Sequence, residues 1–295
     1  VAIETGTVVR AFDGSLADAE GLLAVERTTF DESPYTLDQI RSMFDGGPQS
    51  AWVAEIGGRI VGFLAAFPTR GLAGSRWEID LLAVRPGSRG RGLATRLIRA
   101  ASQRGSRLAP VARAVVGADN RASTRAFQRA GFRRGSAPSR LYIWRRDTAP
   151  ALHPLVQGVP VREVTDVAEL ARWRPQALLP GSGVSLLVAD MEGRPAGYAE
   201  LIRVQTLLYE GCWIESLAVS DGRARHPLVR SAVARALSQG LDEVGAMVPA
   251  ADRPLQDALA DAGFNCLGDF YWMEARLPLP GLARTGPAAG EVPGA

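Results

Sequence analysis

Lysine is absent from this chain. All 34 of its lysine-plus-arginine residues are arginine, a bias that reads as genomic base composition rather than as chemistry. Set against 31 acidic residues they leave a formal charge of only +3. The arginines are mixed with acids instead of gathered in a stripe with aromatics, so nucleic acid is not expected as a ligand. Cysteine and histidine are almost as scarce. Cys212, Cys266, His153 and His226 are too few and too scattered for a zinc cluster, and no metal is expected. Each cysteine sits in apolar company and reads as buried filler rather than as a nucleophile or disulfide partner. No uncharged apolar run reaches the length of about 18 residues that a membrane helix needs. The opening Val1-Ala2-Ile3-Glu4 carries no basic-then-apolar leader, so the expectation is a cytoplasmic protein without a membrane partner.

What is present is globular material, 46% apolar over 295 residues, enough for one domain or two. Val8 to Arg10 reads as a short strand. Ser15 reads as the N-cap of a helix through Leu22, Leu23 and Val25, with Asp18 completing a capping box. Thr36 or Ser33 starts a second helix through Ile40, Met43 and Phe44. Ala51 to Ile56, Gly57-Gly58 and Arg59 to Phe67 have the pattern of a hairpin. Trp77 to Val84 and Val111 to Val116 are further strands, a helix ends at the C′ glycine Gly131, and Leu141 to Arg145 closes the unit as a strand. The succession describes an α/β (α+β) fold, a mixed sheet flanked by helices.

The chain is organised around Arg89-Gly90-Arg91-Gly92-Leu93-Ala94, between the strand ending at Val84 and an amphipathic run from Leu93 to Gln103. A glycine-rich turn that leaves a strand and opens a helix presents unpaired N–H groups and the positive helix end, which suits a phosphate. The alternative is an ordinary tight turn, since glycine and arginine also make solvated loops. Asn120-Arg121-Ala122-Ser123 follows, with Phe127 and Gly131-Phe132 at fixed offsets.

In order and spacing, Arg89-x-x-Gly92-x-Ala94 resembles the acyl-CoA pyrophosphate motif of the GCN5-related N-acetyltransferases (GNAT superfamily), and Asn120-x-x-Ser123-x-x-x-Phe127-x-x-x-Gly131-Phe132 resembles their later helix motif. The resemblance implies acetyl-CoA as cofactor and a mixed, mostly antiparallel twisted sheet. It implies pyrophosphate contacts from Gly90, Arg91, Gly92, Leu93, Ala94 and Thr95, with Arg89 supporting the loop or adding charge; the alternative for Arg91 is a solvated side chain. Leu82, Ala83 and Val84 would line the thioester arm. Asn120 either fixes a pantetheine amide or simply caps its helix, and Ser123 faces the cofactor beside it. Some family members use a glutamate at the position of Glu78 to deprotonate the amine, which makes Glu78 the first candidate base and Asp80 the second. The alternative for either is a salt bridge to Arg76 or Arg85. By the same resemblance Phe127 would join the cofactor contacts; the family often has tyrosine there, so the usual acid for the leaving thiolate is missing.

The chain then repeats itself. Glu192 to Tyr198 matches Gly57 to Phe63 and Ile214 to Val219 matches Ile79 to Val84, both displaced by about 135 positions, and Gly240 falls on Gly105. Gly263-Phe264 repeats Gly131-Phe132. We therefore expect two tandem copies of one fold: 1–148 with the intact motif, a linker at 149–160, a degenerate copy at 161–277, and a Pro/Gly-rich tail at 278–295. With that displacement Ala224 replaces Arg89 and Pro227 replaces Gly92; with the displacement of 132 shown by the Gly-Phe pair, Asp252 replaces Asn120. The second copy is then a structural partner that shapes the acceptor pocket, or an altered site using Arg223 or Arg225.

The resulting expectation is an acetyl-CoA-dependent N-acetyltransferase acting by direct transfer on a primary amine of a small molecule or peptide, as a monomer or homodimer. Asp31, Glu32 and Tyr35 would join Glu78 and Asp80 in a mildly acidic pocket mouth favouring a cationic amine. The alternatives are an acyl-CoA-binding scaffold or regulatory protein with little turnover, or a tandem synthase that acetylates a thiol-cofactor precursor.

Overall fold

The computed structural model describes residues 6–30, 35–46, 49–149, 159–165, 169, 183–207 and 209–279. Strand β1 (Thr7–Ala11) is followed by α1 (Leu16–Thr29) and α2 (Leu37–Phe44), then by an antiparallel meander of β2 (Ser50–Ile56), β3 (Arg59–Gly71) and β4 (Gly74–Val84). A 3₁₀ turn (Pro86–Ser88) leads to α3 (Leu93–Gly105), β5 (Val111–Gly117), α4 (Arg121–Ala130), β6 (Arg133–Arg134) and β7 (Ser139–Arg145). The later part holds β8 (Val161–Val164), the meander β9 (Val184–Met191), β10 (Arg194–Gln205) and β11 (Glu210–Val219), a 3₁₀ turn (Gly222–Ala224), α5 (Arg225–Ser238), β12 (Glu243–Pro249), α6 (Arg253–Asp261) and β13 (Asn265–Arg276).

The helix starts follow their side chains. Ser15 caps α1 by accepting from the Asp18 N–H. The second half of the expected capping box is not made, because the Asp18 carboxylate instead takes both Nη groups of Arg10 at 2.6 Å. Thr36, not Ser33, caps α2, in a full capping box with Gln39. Gly131 ends α4 at φ 106° as a C-terminal glycine.

Among the described residues all strands join one sheet in the order β1-β2-β3-β4-β5-β13-β7-β12-β11-β10-β9-β8, with β6 on the edge of β13. The order runs up one strand series and down another, with β13 ahead of β7 at its centre. β7 does not close the first series as the sequence suggested. It pairs β12 from Ser139 to Arg145, while β13 takes the place beside β5 from Val111 to Gly117. Pairing between strands is blind to chain distance, so the last strand can sit beside β5 with a full ladder of hydrogen bonds.

Apolar faces pack on both sides of the early strands. Trp77, Leu97, Ile98, Phe127 and Phe132 form one cluster with α3 and α4, and Leu22, Val25, Ile40, Phe63 and Leu81 form another with α1 and α2. A third cluster gathers Leu228, Val233, Val244 and Leu259 around α5 and α6. Gly105 is needed for close approach, since a Cβ there would stand 2.4 Å from the Trp77 ring.

Two local breaks position the site. Between Leu64/Leu82 and Ala66/Ile79 one residue of β3, Ala65, opposes two of β4, a bulge at Asp80 and Leu81. Simple alternation would put Leu82 on the face of Glu78 and Asp80; the bulge turns it to the other. β4 also leaves its parallel partner β5 after Ile79, opening a gap in the sheet. The second meander breaks register at the corresponding place, between Glu200/Ser216 and Leu201/Ile214, which puts Glu215 in the bulge.

The uniform displacement read from the sequence fails at one point. Residues 89–92 separate the first 3₁₀ turn from α3, whereas α5 begins directly after Ala224. The later loop lacks the glycine-rich segment altogether, so Ala224 and Pro227 do not substitute for Arg89 and Gly92. Pro227 lies inside the first turn of α5, where proline is tolerated, and Gly240 follows α5 at φ 75° while Gly105 is helical. Cys212 is buried as expected, but Cys266 is exposed near the start of β13. Residues 150–158 of the expected linker and 280–295 of the tail lie outside the described residues, as do Asp31 and Glu32.

Candidate active site

A cleft of about 510 Å³ opens where β4 leaves β5. Leu82 and Val84 form its strand wall, the residues Arg89, Gly90, Gly92, Leu93, Ala94 and Thr95 its end, and Asn120, Ser123, Arg125 and Arg129 of α4 its far side. Gly90 and Gly92 hold φ of 80° and 74°, a region costly for residues with a Cβ, and added Cβ atoms there would meet only open space. Gly92 is the N-cap of α3 and offers no side chain to its first-turn amides. Those amides and the positive helix end therefore face the cleft unmatched. The Arg89 Nε donates to the Val84 carbonyl at 3.1 Å, tying the loop to the end of β4.

Among the described residues the cleft lining includes three arginines and no acid. The residues thus fit a long polyanion: donors and cations at the helix end, apolar groups along the strand. Three expected contacts stand elsewhere. Ala83 points to the α1/α2 cluster, exposed Arg91 does not line the cleft, and Phe127 is buried at 3% exposure with its ring 5.1 Å from Phe132, edge to face. Asn120 both lines the cleft and caps α4, accepting from the Ser123 N–H at 3.0 Å. Thr29 and Phe30, at the end of α1, join the lining. No motif marks them, because the fold alone brings that helix end to the gap.

A second cavity, of about 150 Å³, lies on the other side of the bulge. It holds both candidate bases. Glu78 is fixed: both carboxylate oxygens lie 2.8 Å from Arg113 Nε, and the Thr69 hydroxyl donates at 2.7 Å. The partner is neither Arg76 nor Arg85. Arg76 instead donates to Glu215 at 2.6 Å, and Arg113 reaches Glu215 with its two Nη atoms. Burial pushes the Glu78 carboxyl up while Arg113 and Thr69 pull it down; with a guanidinium on both oxygens the paired carboxylate prevails. Asp80 is differently placed. It opens onto the cavity while enclosed by the surrounding strands, takes a 3.2 Å hydrogen bond from Gln49 Nε2, and has no arginine in contact among the described residues. Burial among the surrounding elements pushes its carboxyl up to about 6, against the hydrogen bonds from Gln49 and Thr206. Tyr35 is pushed up to about 12 by burial and by Glu26 and Asp80.

The far wall of this cavity is built by the later strands, including Ile202, Val204, Tyr209, Trp213, Glu215 and Trp272. Sequence reasoning missed these residues. Their only signal was the retained acid at 215, which pointed to structure and not to a shared cavity.

The fold is that of the GNAT-superfamily acetyltransferases. Residues 19–132 match the model of the Acetyltransferase (GNAT) family. Among solved structures the chain resembles a GCN5-related N-acetyltransferase from Sphaerobacter thermophilus, with 17% identity and a TM-score of 0.56 over 92% of this chain and 95% of that one. It also resembles a tandem GNAT protein from the clavulanic acid biosynthesis pathway, with 17% identity and a TM-score of 0.51 over 92% and 98%. A GCN5-related glucosamine N-acetyltransferase region of a fungal GH3 beta-N-acetylglucosaminidase matches at 16% identity and a TM-score of 0.58, over 93% of this chain and 38% of that one. No curated protein matches the sequence.

Among the described residues no helix is long and apolar enough to cross a membrane, and no cluster of metal-ligating side chains is found.

Proposed function

We propose that this protein is an acetyl-CoA-dependent N-acetyltransferase built of two copies of one fold, 1–148 and 161–277, of which only the first binds cofactor. The observation that carries the reading is the uncapped, glycine-entered start of α3, opening into an acid-free cleft beside a strand edge released by β5. Gly90, Gly92, Leu93, Ala94 and Thr95 would hold the pyrophosphate through backbone amides, with charge from Arg89, Arg125 and Arg129. Leu82 and Val84 would line the acyl arm, and Asn120 and Ser123 its opposite side. Acetyl-CoA bound there supplies an acetyl thioester, whose C–S bond gives way to an N–C bond with the acceptor while sulfur keeps the bonding pair.

Asp80 is the better base. An ammonium cannot attack until its proton leaves, and a carboxylate with a pKa near the working pH, facing a cavity and free of arginine, accepts that proton more readily than one locked to Arg113. Glu78 then holds Arg113 and the cavity wall. The bulge supports this assignment: Asp80 lies in one cavity and Leu82, two residues on, in the other, a separation of about 7 Å along a strand.

Calorimetric titration with acetyl-CoA, run beside a thiol-release assay with primary amines, tests the proposal. One bound cofactor per chain and amine-dependent thiol release are expected. Phe127 favours the second reading, a binding protein with little turnover, because its ring carries no hydroxyl to protonate a leaving thiolate. Tight binding with no release above background would establish that reading instead.

A further inference from the structure

Resting on the reading of the cleft as a cofactor site, we infer that the second cavity is the acceptor site and that it takes a compact amine with a single apolar ring as its body. The volume sets the size. An apolar cavity of about 150 Å³ is known to hold one benzene, and this cavity has about 150 Å³. The several hydroxyls of a sugar would have to compete with protein partners, because the polar wall groups Thr69, Glu78, Arg113 and Glu215 already bond one another. Most of the walls are apolar or aromatic: Phe67, Ile79, Ile202, Val204, Trp213 and Trp272.

The charges set the head group. Glu78 and Glu215 are matched by Arg113 and Arg76 within the wall. One carboxylate remains, that of Asp80, and an ammonium is its complement. Other polar groups are already engaged. Tyr209 spends its hydroxyl on the Cys212 carbonyl, and the Arg113 guanidinium covers one face of Trp272 at 4.3 Å. Trp213 is held edge-on to Tyr209 with centroids 6.0 Å apart, and packs so close to Gly245 that a Cβ there would come within 2.6 Å of its ring. These are rigid surfaces suited to a ring, and they come from the later copy, which thereby contributes specificity.

The test is calorimetry on the full chain with 2-phenylethylamine, ethanolamine and glucosamine, each with and without coenzyme A. 2-Phenylethylamine is expected to bind at least tenfold tighter than the two polar amines. Val204→Trp, which fills the cavity, should weaken 2-phenylethylamine at least tenfold while acetyl-CoA affinity stays within twofold. Trp213→Ala, which enlarges it, should admit 2-(2-naphthyl)ethylamine at least tenfold better than the native chain does. Equal binding of the polar amines, no binding of 2-phenylethylamine in either condition, or an unchanged profile in both variants overturns the inference. Absence of acetyl-CoA binding by the native chain is a separate result, and it refutes the cofactor reading instead.

Discussion

Glu215 of β11 lies 2.6 Å from Nη2 of Arg113 in β5, across 102 positions of chain. The same guanidinium holds Glu78, so one arginine ties the bulged strand of each meander to its counterpart.

Arg113→Met should therefore be strongly destabilising. Removing the shared cation leaves two carboxylates with little exposure and only Arg76 and Thr69 to compensate them, a loss of about 3–5 kcal/mol. Urea unfolding measures it. Adding Glu78→Gln should return part of the loss, and a single-variant effect below about 1 kcal/mol would contradict the network.

Gly92→Ala places a Cβ in a left-handed conformation at the mouth of the cleft. A stability cost of about 1–2 kcal/mol is expected, together with at least a tenfold loss of acetyl-CoA affinity by calorimetry. Native affinity in this variant would mean that the α3 start does not carry the phosphates.

Binding should saturate at one acetyl-CoA per chain, because the later 3₁₀ turn runs into α5 without the four-residue loop 89–92. Ala224, at that helix start, is fully buried. A stoichiometry of two, measured by equilibrium dialysis, would require a site this loop cannot form.

Turnover should rise with pH through about 6, where Asp80 loses its proton, and Asp80→Asn should abolish that rise along with most of the rate. The stability effect has the opposite sense. A carboxyl whose folded value lies above its ordinary 3.8 binds the proton more tightly in the native state. Its contribution is complete below that value and fades as pH rises through about 6. Differential unfolding of the native chain and Asp80→Asn between pH 4 and pH 7 should resolve it, the native chain losing stability relative to the variant as pH rises.

Deleting residues 265–295 should prevent native folding, since β13 lies between β5 and β7 and pairs with both. Two unpaired edges in mid-sheet favour aggregation. A monomeric, cooperatively unfolding product on gel filtration and circular dichroism would show that β13 is dispensable.

Much of this was legible in the residues. Ser15, Thr36, Asn120 and Gly131 mark helix ends through local hydrogen bonds and backbone freedom, and Gly57-Gly58 marks a hairpin, so each could be read without knowing its neighbours. The glycine-rich turn at 89–92 belongs to the same class. The four-residue loop difference escaped because a displacement measured on strands was carried through a loop, where length is free to change.

Local order, then, was set by the chain itself: which segments are helices, where they begin, and that an amide-rich turn opens α3. Only the folded sheet decided that β13 lies between β5 and β7, that Glu78 is held by Arg113 while Asp80 faces the cavity, and that aromatic rings from β11 and β13 complete a cavity begun by β4. The reason is physical. Capping and turn chemistry act over three or four residues, whereas strand order, a bulge and the matching of buried charges depend on partners a hundred positions away, which no local pattern encodes.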